Sequence, residues 1–350
     1  MLQPATRTFK PSARRRIFRL LGPALIPVGL TLTLIAGACG SSSGGGTSSA
    51  QPSPGAGTAW KTQTSGTTDA LFAVAFATPR DGWAAGNNGT ILATTDGGAT
   101  WKTQTSGTTN GHGLYGVVFS DSSHGWAVGG GGIILATTDG GATWSSQSSG
   151  LAADVTLYGV AFSDSSHGWA VGDSSILATT DGGATWKAQK SGTTNDLESI
   201  AFSDSSHGWA VGLHGTIVAT TDGGATWSSQ SSGLPADAAL YGVAFSDSSH
   251  GWAVGLNGTI VATSDGGTTW KAQNPGTTAD LIGVAFANAK DGWAVGGGTI
   301  VATTDGGGVW KAQKSGASGY LNAVARANAT DGWAVGGHGA IVAITDGGAN

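Results

Sequence analysis

The sequence has little of what builds helices or covalent cross-links. Among 350 residues there are one Met, one Cys and one Glu, Glu198. A single cysteine excludes an internal disulfide framework. Scarce Glu, Lys and Met beside 62 Gly and 14 Trp argue for an all-β chain with many tight turns. Basic charge is scarce as well, and unevenly placed. Six of the 16 basic residues (Arg7, Lys10, Arg14, Arg15, Arg16 and Arg19) lie in the first 38 positions, which hold no acid. The remaining 10 stand against 21 acids, leaving the body at −11. Such a body lacks the basic footprint that nucleic acid requires. It suits a basic partner or metal cations, or serves solubility.

The basic N-terminus reads as an address. Arg14-Arg15-Arg16 precedes an apolar run from Leu20 to Ala38, which ends in the small residues Ala36-Gly37-Ala38 before Cys39. Residues 1–38 are therefore predicted to be a signal peptide. The setting of Cys39 resembles a bacterial lipobox. That resemblance implies a lipidated Cys39 at the mature N-terminus and an anchor on the outer side of the cell membrane, at its periplasmic or extracellular face. An uncleaved membrane helix and simple secretion are the other readings of the run, and all three place the body outside the cytoplasm. Residues 39–57 carry the lipidated Cys and a Ser/Gly/Pro-rich flexible tether.

The body, 58–350, is a repeat. A Gly-Trp pair recurs at Trp83, Trp126, Trp169, Trp209, Trp252, Trp293 and Trp333, with spacings of 43, 43, 40, 43, 41 and 40. An Asp-Gly-Gly box recurs at Asp96, Asp139, Asp181, Asp222, Asp265, Asp305 and Asp346. A second set follows it: Trp101, Trp144, Trp186, Trp227, Trp270 and Trp310. Periods near 40 residues with short strands predict a seven-bladed β-propeller with four-stranded blades. In one blade the strands read as 240–245, 251–255, 259–263 and 269–273, with an Asn-Gly hairpin at 256–258. Strict alternation in the first strand predicts Tyr241, Val243 and Phe245 on one face and Leu240, Gly242 and Ala244 on the other. The seventh copy stops before its Trp strand, whereas Trp60-Lys-Thr-Gln63 matches Trp227-Ser-Ser-Gln230. The N-terminal segment is thus expected to complete the last blade, close the ring and remove an open edge. A closed ring of this kind is expected to be a monomer.

The segment Thr221-Asp222-Gly-Gly-Ala-Thr226-Trp227 resembles the Asp-box of sialidase-type and sortilin-type propellers. Asp caps backbone N–H groups in the turn and Gly supplies positive φ, so the box is expected to be structural. Together with Gly-Trp-Ala-Val-Gly, it resembles the photosystem II assembly and stability factor family across 58–350. That resemblance implies a seven-bladed scaffold that binds a protein, a membrane subunit in the photosynthetic members, through an arginine-rich surface. Here the body holds only Arg80 and Arg326, so that binding mode is not expected to transfer. A sialidase is excluded on the same ground, because its substrate carboxylate needs three arginines.

No cofactor, metal or catalytic residue is predicted. His124, His167, His207 and His250 occupy one repeated turn, and equivalent turns on separate blades do not converge. The informative break in the repeat lies at the start of the innermost strands. There the equivalent residues are Phe72, Tyr115, Tyr158, Glu198, Tyr241, Ile282 and Asn322, with Tyr320 two residues away. The loops leading in add Asp69, Asp154, Asp196, Asp237 and Asp280. This level is expected to border the mouth of the central channel, opposite the Asp-boxes. Tyr115, Tyr158, Glu198, Tyr241, Tyr320, Asn322 and Asp196 are the predicted partner-binding residues. Aromatics among acids suit a basic peptide segment or a sugar. The function expected is a non-catalytic scaffold outside the cytoplasm that binds a protein. A carbohydrate-binding or glycoside-cleaving surface protein is the alternative. Arg326 stands where Phe119 or Phe245 would, and is expected to pair with a nearby acid.

Overall fold

The computed structural model describes residues 59–345 except 109, 110 and 329. The predicted signal peptide, Cys39, the tether and Asp346 lie outside the described residues. The described chain forms seven four-stranded antiparallel sheets. Six run in sequence order, as with 240–245, 251–255, 260–263 and 271–273. Each innermost strand packs on that of the next blade, and that of blade 7 on that of blade 1, closing the ring. In the seventh sheet the outermost strand is Lys61–Gln63, paired antiparallel with Ile341–Ile344. The N-terminal clasp is therefore present.

The Gly-Trp pair explains how blades adhere. Within a blade, Phe202 of the first strand is the register partner of Gly208. A Cβ on Gly208 would lie 2.3 Å from the Phe202 ring, so only glycine lets that ring lie flat on the strand. The other side of the ring stacks on Trp169 of the preceding blade at 3.5 Å, and its edge meets Trp227 at 6.0 Å. The same stack recurs for Phe76, Phe119, Phe162, Phe245 and Phe286. Each pair adds about 0.5–1.5 kcal/mol beyond its buried area. Among the described residues six of the seven inner Trp, all but Trp293, also donate their indole N–H to a box carbonyl of the next blade, as Trp169 does to Gly223 at 2.9 Å.

A second belt runs outside. Every outer Trp donates to the Gln that ends the preceding blade: Trp101 to Gln63, Trp227 to Gln189 and, across the closure, Trp60 to Gln313 at 2.7 Å. The clasp residue thus repeats the bond made by its six counterparts.

One expectation needs correction. Strict alternation fails in the first strand, because a β-bulge lies between Leu240 and Gly242. The bulge returns Leu240 to the face of Val243 and Phe245 in one interblade cluster. Tyr241 leaves both blade faces for a separate cluster with Leu213, Ala239 and Ile282. Inserting one residue re-aims the side chain at the bulge. Arg326 has the nearby acids expected of it, Asp291 and Asp331, which act on it through their charge. Its guanidinium also lies 3.6 Å above the Trp293 ring, taking the place of Phe in the stack.

Candidate functional site

The molecule has two unlike ends. At one end lie the Asp-boxes together with the turns joining first and second strands, as the bond from Gly140 N–H to the Ser123 carbonyl shows. At the other lie the hairpins between second and third strands and the loops between blades. Asn87 N–H bonds the Ala70 carbonyl there, and Gly337 N–H bonds that of Tyr320.

The box end is built from repeated local bonds. In each of the six described boxes a threonine hydroxyl, Thr94 in the first, donates to the Asp and accepts from the second Gly amide. The Thr100 N–H and hydroxyl both donate to Asp96. The Thr100 hydroxyl, then its N–H, then the Thr94 hydroxyl pull the Asp96 carboxyl down to about 2. Asp139, Asp181 and Asp222 are also held at about 2 by their own threonines. Asp265 is lowered in the same way. Asp305 is lowered chiefly by the Val309 N–H, because Val309 replaces the threonine and offers no hydroxyl. The repeated histidines are local too. His124, His167, His207 and His250 each place Nδ1 2.9–3.0 Å from an Asp three residues earlier. Among the described residues no three His, Cys, Asp or Glu converge to hold a metal.

The opposite end carries the non-repeating residues. Phe72, Tyr115, Glu198, Tyr241 and Asn322 are bulge residues of their strands. Tyr158 and Ile282 stand just before strands that begin at Gly159 and Gly283. The bulge, which the repeat did not reveal, is what turns the first five out of the interblade clusters, and Tyr158 and Ile282 join them in a ring from just outside their strands. Phe72 meets Tyr115 at 5.4 Å and Tyr115 meets Tyr158 at 5.9 Å, forming an aromatic arc. Tyr241 and Ile282 pack together farther round. Glu198 stands between the arc and that pair. Asn322 closes the circle by donating to the Leu71 carbonyl at 2.8 Å. The predicted residues at these blade starts are thus brought to one level, but not as an exposed wall. Phe72, Glu198 and Asn322 have no exposed surface, Tyr158, Tyr241 and Ile282 are buried, and only Tyr115 is half-buried. They form a floor beneath the mouth.

The loops supply the rim. Tyr320 is half-buried, its ring against Gly337, and burial raises its hydroxyl pKa. Asp196 is half-buried and its carbonyl accepts from Leu213. Asp154, Asp237 and Asp280 are exposed. Asp69 accepts from Asn88 and Thr90. Sequence reasoning missed Asp173, which accepts from the Tyr158 hydroxyl at 3.2 Å and from the Thr156 N–H. Its signal was the shortened Asp173-Ser174 hairpin of that blade. A cleft of about 810 Å³ also opens beside the closure, lined by Thr62–Thr68, Gly316–Ser318 and His338–Ala340.

The sequence profile of the family described as Photosynthesis system II assembly factor YCF48 matches residues 54–148, 147–198, 189–236 and 229–312. No curated protein matches the chain. Among solved structures, YCF48 bound to D1 peptide is 21% identical, with a TM-score of 0.70, covering 85% of this chain and 99% of that one. YCF48 from Cyanidioschyzon merolae is 22% identical, with a TM-score of 0.66 over 82% and 98%. A GH74 enzyme of Niastella koreensis is 15% identical, with a TM-score of 0.67 over 81% of this chain and 53% of that one. At these identities the structural likeness carries the fold alone.

Proposed function

Because the chain belongs to the family of Photosynthesis system II assembly factor YCF48, we propose that it is a membrane-anchored scaffold outside the cytoplasm, which holds a protein partner at the ring end and performs no chemistry of its own. The observation that carries this reading is the ring itself. At that level a body of near-identical blades presents seven positions occupied by Phe, Tyr, Tyr, Glu, Tyr, Ile and Asn. A YCF48 structure with a bound peptide supports a peptide segment as the occupant.

The sign of charge differs from the arginine-rich surface that the family resemblance implies. Of the two arginines in the body, Arg326 is buried on Trp293 and only Arg80 is exposed, at the box end. The ring end carries Asp69, Asp154, Asp173, Asp196, Asp237 and Asp280. A basic segment fits that end, and a photosystem subunit is not carried over. Cys39 supplies the anchor in this reading, with the tether giving reach. The glycoside-cleaving alternative needs two carboxyl groups about 5–10 Å apart across a cleft. The ring offers Glu198 alone, and Asp69 gives both oxygens to its own blade.

The test is cross-linking in the native envelope followed by mass spectrometry of captured proteins. A defined partner that is lost in the Glu198→Ala/Tyr241→Ala double variant supports the reading. An unchanged capture profile removes the ring from it. Cys39→Ser is expected to move the protein from the membrane to the soluble fraction, and retention in the membrane would refute the lipid anchor.

A further inference from the structure

The cleft beside the closure opens where blade 7 lacks a bridge that other blades have. The interblade loops 64–70 and 314–320 are equally long. They also end alike, the Ala70 and Tyr320 carbonyls each accepting from the first residue of the hairpin they meet. In blade 1 the residue before that carbonyl, Asp69, bridges to its hairpin by accepting from Asn88 and Thr90. In blade 4 Asn195 donates to Thr216 at the same place. In blade 7 the corresponding loop and hairpin residues are Gly319 and Ala340, and neither side chain can form a hydrogen bond. The hairpin backbone is otherwise alike. His338 and Ala340 have φ of 55° and −61°, against 54° and −58° for Asn88 and Thr90. The cleft of about 810 Å³ lies between this hairpin, the loops on either side and the clasp strand.

That volume is in the range of small-ligand sites. The exposed side chains along it are those of Thr62, Thr64, Thr68, Ser318 and His338. Among the described residues no Asp, Glu, Lys or Arg lines it. A hydroxyl both donates and accepts, and a neutral imidazole does so through its two nitrogens. An ion would meet no counter-charge here, and an apolar ligand would leave the hydroxyls unsatisfied. A sugar has no charge and carries donors and acceptors on every side. We propose that the cleft is a seat for a short neutral oligosaccharide, bound without cleavage because no carboxylate lines it. The seat lies against the outermost strand of blade 7, and it stands whether or not the ring end holds a protein.

An array of immobilised glycans, neutral and acidic, with short peptides beside them, tests this on the purified propeller. Titration calorimetry of the best ligand follows. Wild-type protein is expected to bind neutral oligosaccharides. His338→Gly reproduces the Gly130–Gly132 hairpin of blade 2 and is expected to weaken that binding roughly 3- to 10-fold, as for one lost hydrogen bond. Gly319→Asp with Ala340→Thr rebuilds the bridge of blade 1 across the cleft. That double variant is expected to weaken binding more than about 10-fold, with a melting temperature no lower than that of wild type. A sugar bound equally by wild type and both variants would overturn the cleft as its seat. Wild-type protein that binds no sugar, or prefers acidic glycans or peptides, would overturn the proposal. The scaffold reading would survive that result, because its partner is captured separately by cross-linking.

Discussion

Arg326 occupies a place shaped for phenylalanine, and its chemistry shows what the stack tolerates. The guanidinium is flat and can lie on an indole as a ring does. Burial lowers its pKa from 12.5 to about 10, while Asp291 and Asp331 pull it upward. A base with a folded pKa below its unfolded one opposes folding throughout the pH range where it is charged, and that opposition fades only above about pH 10. Arg326→Phe, which restores the stack of the other blades, is therefore expected to stabilise the fold by about 1–3 kcal/mol in urea unfolding. Arg326→Ala, which leaves Trp293 uncovered, is expected to cost about 3 kcal/mol. The box aspartates act in the opposite sense. Asp96, Asp139, Asp181 and Asp222 sit near 2, so their contribution is complete above the ordinary value of 3.8 and is lost as pH falls toward 2. Melting temperature is expected to be flat from pH 7 to about 5 and to fall steeply between about 4 and 2. Val309→Thr supplies the missing hydroxyl to Asp305 and is expected to raise the melting temperature by about 1–2 °C.

At the scale of strands, the clasp and the bulge divide what was legible from what was not. Seven blades and the clasp could be read because each blade repeats the same Gly-Trp pair and six repeat the phenylalanine before it, and Trp60 was left over at one end with its slot at the other. Trp60→Ala is expected to cost about 3–5 kcal/mol, since Trp60 also meets Trp293 edge-on at 5.4 Å. An unchanged melting curve would show that Ile341–Ile344 holds without its neighbour. Gly208→Ala is expected to push Phe202 off Trp169 at a cost of about 1–3 kcal/mol, visible as lost near-ultraviolet dichroism. The ring was legible in composition but not in depth. A repeat read with period two assigns Tyr241 to a blade face, and nothing in Leu-Tyr-Gly-Val signals the extra residue that lifts it away. Arg326 was legible as an anomaly beside an acid, but its aromatic partner was not, because Trp293 belongs to the preceding blade and meets it only through the packing of the ring. The glutamine belt was missed because Gln63 and its counterparts look like ordinary exposed strand ends.

Over the whole molecule, repetition supplies rigidity and its one lapse supplies identity. Because the acids of the ring end lie in solvent-facing loops, binding of a basic segment is expected to weaken as salt rises from 50 to 300 mM, mainly through slower association. A salt-independent on-rate would place the contact elsewhere. The clasp has a mechanical corollary. Residue 59 precedes Trp60 at the position where, in the other blades, the chain has just left a box, so the described chain begins at the box-end rim, opposite the ring end. Tension applied at residue 59 runs along Lys61–Gln63, the strand paired antiparallel with Ile341–Ile344. The three register pairs and the Trp60–Gln313 bond would then share the load in shear instead of peeling open one after another.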